Sequence, residues 1–167
     1  MSTNRPVIKN LERSNVDITL EVLAILGLLF LIGISAYYYP HLPNTMPTHF
    51  NVKGEADGWG GKGIILMMPL IGVALYLGLT VLSFFPQIFN YPWPITETNA
   101  RRQYSISRQM VTAVKLILVF TFSYVTWGLI QAATLEQSDL SISFLRVETP
   151  ILFAVVGLYL FKASRAR

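Results

Sequence analysis

His49, Asn51, Glu55 and Asp57 bring one imidazole, one amide and two carboxylates into a stretch of nine residues. Such a set has several uses. His49, Glu55 and Asp57 could hold a divalent cation. A carboxylate beside the imidazole could move a proton. The group could meet a ligand or a partner. The plainest use is structural, with these side chains hydrogen-bonding the loop's own backbone and capping the helix that follows. Their spacing matches neither an EF-hand nor a His-Glu-x-x-His helix. No cofactor is therefore expected, and no catalytic residue is assigned.

The segment that carries these residues, 42–62, is rich in turn chemistry. Pro43 and Pro47 fix φ and push their neighbours toward extended backbone. An extended run from Thr48 to Val52 would put His49, Asn51 and Lys53 on one face and Phe50 and Val52 on the other, packed down on the helix ends. Lys53-Gly54 and Asp57-Gly58 read as turn dipeptides. Gly60, Gly61 and Gly63 suit a close approach of the chain to its surroundings. The segment is expected to be ordered.

Four apolar blocks hold this segment in place. The chain is 53% hydrophobic and only 13% charged, against about 25% charged for a soluble domain. Its apolar residues are massed in runs, where a soluble fold would spread them at helix or strand period. A bilayer's hydrocarbon takes about 20 residues of helix, and lipid leaves backbone groups no other partner than their own helix. The expected fold is all-α, an integral membrane bundle of four transmembrane helices at about 20–39, 63–85, 105–133 and 140–162. Residues 1–167 form a single membrane domain in this reading. The fourth block is the shortest apolar run. A full span must include Arg146 and Glu148, each in need of a partner, whereas Pro150 would also suit the first turn of a shorter helix.

Lys and Arg set the orientation. Arg5, Lys9 and Arg13 precede block one, Arg101, Arg102 and Arg108 lie between blocks two and three, and Lys162, Arg165 and Arg167 follow block four. Only Lys53, Lys62 and Arg146 fall on the opposite side. The excess of positive charge places both termini in the cytoplasm and the 42–62 loop outside it. Tyr37 to Tyr39, Trp59, Tyr91 and Trp93 mark the interfaces. Two further charges fall in or beside the spans: Glu21 near the start of block one and Lys115 in block three. Either the two pair, or Lys115 reaches toward headgroups. Thr96, Thr98 and Asn99 are candidate N-caps for a helix continuous with block three, with Arg101, Arg102 and Arg108 contacting lipid headgroups or a cytoplasmic partner.

Pro47-Thr48-His49-Phe50-Asn51, followed by Gly54-Glu55-Ala56-Asp57-Gly58-Trp59-Gly60 and Lys62, resembles the signature of the DUF1648 family over about residues 25–75. The resemblance implies a small prokaryotic integral membrane protein of the SdpI-like type, some of which act in immunity and signalling against a secreted toxic peptide. SdpI-like proteins carry an additional C-terminal membrane region associated with that role, and it has no counterpart in these 167 residues.

Zero cysteines exclude disulfides, thiol catalysis and zinc–thiolate sites. No basic stripe with interleaved aromatics marks a nucleic-acid surface. The expected function is non-enzymatic. A peptide, an envelope component or another membrane protein would be bound through Pro47, Thr48, His49, Phe50, Asn51, Gly54, Glu55, Asp57, Gly58 and Trp59. The alternatives are a small transporter or channel component and a membrane enzyme using His49, Glu55 and Asp57. The expected partners are the lipid bilayer, that ligand and a second copy of the chain; the expected location is the prokaryotic cell membrane.

Overall fold

A computed structural model describes residues 5–134 and 143–167. Helix α1 spans Asn15–Tyr38, and a short 3-10 turn at Tyr39–His41 leads out of it. Strands β1 (Thr45–Phe50) and β2 (Ala56–Gly61) form an antiparallel hairpin. Helices α2 (Ile64–Ser83), α3 (Ala100–Thr134) and α4 (Ser143–Ser164) follow. All four helices are long and apolar enough to cross a membrane. Helix α3 is the axis of the bundle and packs against α1, α2, α4 and β1.

Helix α1 begins at Asn15, earlier than its apolar run suggests, because Ser14 and Asp17 close a capping box. The Ser14 hydroxyl accepts from the Asp17 N–H, and Asp17 accepts from the Ser14 N–H at 2.7 Å. At 1.5 Å per residue the 35 residues of α3 measure about 52 Å, so roughly 20 Å must extend past a hydrocarbon core of about 30 Å. Arg101, Arg102, Tyr104 and Arg108 ride on its first turns. Asn99 does not cap this helix with its side chain. It accepts from the Thr96 N–H and donates to the Pro94 carbonyl, closing the preceding turn.

Helix α4 runs through Pro150, which lies in its third turn. The shorter helix that would have placed this proline in a first turn is therefore not what forms. Residues 140–142, the start of the fourth block, lie outside the described residues.

The expectation of an all-α chain needs one correction, the hairpin. Asp57-Gly58 is not a turn but part of β2, with Gly58 opposite His49. A Cβ on Gly58 would meet the His49 Cβ at 2.9 Å, and one on Gly60 would meet the Thr48 side chain at 3.0 Å. These glycines keep the strands close. The turn itself is at Gly54, whose φ of 92° suits glycine.

The hairpin sits on the helix ends through Met46 and Pro47, both fully buried. Met46 joins Leu42, Ile65, Leu129 and Ile130 in one apolar cluster, with Phe50 packed at its edge. Val52 does not pack down as its alternation suggested. It lies past the end of β1 and is 91% exposed.

Candidate functional site

Beneath the hairpin lies a cavity of about 590 Å³. One wall is the run Thr48, His49, Phe50, Asn51 and Val52, and Arg146 of α4 closes the other side. Ile64 and Met68 of α2 and Val125 and Leu129 of α3 make it apolar in between. The combination of concave apolar surface with a few polar groups is the usual form of a binding site, and the volume falls in the usual range of about 300–1,000 Å³. A larger groove of about 790 Å³ runs between α1 and α3, lined by Leu26, Phe30, Tyr37, Phe120 and Trp127 among others. It is almost wholly apolar and lies along two membrane-length helices, so acyl chains are its natural cover. The hairpin cavity is the better site because it adds polar residues.

The four chemistry-bearing residues of the loop separate into two pairs. His49 Nδ1 lies 2.5 Å from Asp57 Oδ1 across the strands, with both side chains largely exposed. Asn51 donates to Glu55 Oε2 at 2.8 Å, and its own Oδ1 accepts from the Lys53 and Glu55 N–H groups at 2.8 and 3.1 Å. This is an Asx-type turn that completes the hairpin loop. Glu55 is therefore spent on Asn51 and does not join His49 and Asp57. Among the described residues no three of His, Asp and Glu gather as a metal site would require. Trp59 stands 62% exposed on β2. Gly54, Glu55, Asp57, Gly58 and Trp59 shape the hairpin without lining the cavity, whereas Thr48, His49, Phe50 and Asn51 do both. Pro47 anchors it from below.

The charges within the helices lie elsewhere. Lys115 is 1% exposed and places Nζ 2.9 and 2.7 Å from the two Glu21 oxygens. The Thr80 hydroxyl accepts a third bond from it at 2.9 Å, and Tyr76 donates to Glu21. The ammonium also rests 4.3 Å from the centre of the Tyr76 ring. Glu21 and Lys115, with Thr80 and Tyr76, thus tie α1, α2 and α3 together. Glu148 takes a hydrogen bond from the Thr121 hydroxyl.

Arg108 is the residue whose part the sequence hid. Expected at the headgroups, it is instead 8% exposed. Its guanidinium donates to the Leu11 carbonyl at 2.9 Å, to the Glu12 carbonyl, and to Asp17 Oδ1 at 3.3 Å. Arg5 similarly reaches the Gln87 and Phe89 carbonyls at 3.1 and 2.5 Å. The Tyr104 hydroxyl donates to the Pro6 carbonyl at 2.9 Å. Nearby, burial pushes the Tyr91 hydroxyl up to about 12, and it donates to the Pro86 carbonyl at 2.9 Å. These bonds lash the N-terminal segment across the end of the bundle. The signal was present but ambiguous, because Arg101, Arg102 and Arg108 look alike in sequence while the first two are exposed.

Helices of this length and hydropathy around an ordered hairpin define a small multi-span membrane protein. The family described as a domain of unknown function, DUF1648, matches residues 26–73, a stretch that runs from α1 through the whole hairpin into α2. An uncharacterized protein of Archaeoglobus fulgidus is 30% identical over 141 residues, covering 75% of this chain and 70% of that one. The chain belongs to the DUF1648 family. No solved structure matches it.

Proposed function

We propose that this chain is a non-enzymatic protein of a prokaryotic plasma membrane that binds a peptide, an envelope component or a membrane partner through its hairpin. Both termini lie in the cytoplasm in this reading, and the hairpin faces away from it. The observation that carries the proposal is the cavity itself. Five consecutive residues, Thr48 to Val52, line it, four of them within the family signature, together with the Arg146 cation and apolar side chains of α2 and α3. Val52, at the rim of this lining, stands 91% exposed, a cost in water that a covering partner would remove. Immunity or signalling of the SdpI-like kind is a setting in which such a binder would serve.

Catalysis is the weaker reading. The His49–Asp57 pair could orient a proton acceptor, but no third acidic or imidazole group joins it among the described residues. Photo-crosslinking tests the binding reading. A benzoylphenylalanine at Val52 should give a discrete adduct in native membranes, and the same probe at Leu29, on the apolar outer surface of α1, should give only lipid. Identical adduct patterns at the two positions would remove the hairpin as a binding element.

A further inference from the structure

A second cavity lies at the opposite end of the bundle, away from the hairpin, between the start of α3 and the last turn of α4. We propose that it holds the phosphate headgroup of an anionic phospholipid. Its volume is about 420 Å³, and Arg102, Ser105, Ile106, Phe161, Lys162 and Arg165 line it with Gln109. Arg102, Ser105, Ile106 and Gln109 recur at the three-and-four spacing of one helix face, so α3 presents them together. Lys162 faces them from the last turn of α4 and Arg165 from the turn just past its end.

Three cations thus converge on one small space. None is ion-paired among the described residues, where the pairs are His49–Asp57, Arg108–Asp17 and Lys115–Glu21. Asp17, which Gln109 reaches at 3.5 Å, is already taken by Arg108 and Ser14. The contrast with Arg108, six residues along the same helix, is informative. Arg108 is spent on two carbonyls and Asp17, whereas Arg102 is exposed with its charge unmatched. Lys162 Nζ lies 5.3 Å from the Tyr159 ring centre and Arg165 Cζ 5.3 Å from that of Phe161. The aromatic rings therefore support the cationic side chains. The Ser105 hydroxyl adds a neutral donor.

The charge selects an anion, and three clustered cations between membrane helices suit a phosphate diester. The apolar part of the lining selects a lipid over a free ion. Phe161 is 57% exposed and Ile106 is half-buried beside it. An acyl chain descending along α4 would cover both, while inorganic phosphate would leave them bare. The site does not depend on the hairpin reading.

Native mass spectrometry of the purified protein in detergent, with phosphatidylglycerol or phosphatidylcholine added, tests this directly. The protein should retain phosphatidylglycerol preferentially, and R102Q/K162Q/R165Q should lower that retention about tenfold or more, because each cation near an anionic headgroup contributes several-fold. The variant K9Q/R13Q/R101Q removes the same charge from the same end and should leave retention unchanged. R165Q alone supplies the reading should the triple variant fail to fold, with a several-fold loss expected. Equal losses in the two triple variants would reduce the site to bulk charge. Displacement of the lipid by an equal concentration of inorganic phosphate would make it a free-anion site. Either outcome overturns the proposal.

Discussion

The two ends of this bundle handle polar groups in opposite ways. At the end that carries the termini, the charges are closed off: Arg108 is surrounded by the Leu11 and Glu12 carbonyls and by Asp17. Deeper in, Lys115 has Glu21, Thr80 and Tyr76 around it. At the hairpin end, the His49–Asp57 pair stands in the open and the cavity beside it has an apolar floor. Buried charge left unmatched is expensive, so the first arrangement reads as construction. An exposed pair contributes little to stability, so the second is free to serve recognition.

Substitution should separate these roles most clearly at Lys115. Lys115→Met leaves the half-buried Glu21 without its cation and should cost about 3 kcal/mol or more, seen as loss of folded protein in a denaturant titration in detergent. Exchanging the charges, Glu21→Lys with Lys115→Glu, should recover part of that loss. A double variant no better than the worse single one would break the comparison at its closed end.

The hairpin's seat comes next. Met46→Ala should cost about 2–4 kcal/mol through the void it leaves among Leu42, Ile65, Leu129 and Ile130. Hydrogen exchange should then show the hairpin amides opening ahead of the α3 amides. A smaller effect distinguishes two glycines. Gly58→Ala drives a methyl against the His49 Cβ and should cost about 1–3 kcal/mol, whereas at Gly61 the nearest atom is 4.0 Å away and the change should be nearly neutral. Smallest of all, His49→Gln removes the exposed pair and should shift stability by less than about 1 kcal/mol, while altering the crosslinks formed at Val52. A large loss of stability at His49 would mean that the open end is structural too.

Much of this was readable from the sequence, and the boundary between what was and was not is physical. Four apolar blocks announce four helices because a run of that length and apolarity matches the thickness of hydrocarbon and must there bond its own backbone. The turn at Lys53-Gly54 follows from glycine's freedom at positive φ. Strand β2 was hidden because Ala56-Asp57-Gly58-Trp59-Gly60-Gly61 has almost no strand-forming side chains. It is extended because Gly58 and Gly60 let it lie close against His49 and Thr48. Arg146 drew notice as a costly charge, but its place across a cavity from His49 depends on the packing of α4 against α3, which no local pattern encodes. Pairing over long sequence distances, as between Arg108 and Asp17, is equally invisible to local reading.

Every functional inference about the hairpin assumes that it faces away from the cytoplasm. Single cysteines can be introduced without background, since the chain has none. A membrane-impermeant thiol reagent applied to intact cells should modify Lys53→Cys and spare Arg102→Cys until the cells are opened. Labelling of Arg102→Cys with protection of Lys53→Cys would invert the bundle and contradict the account.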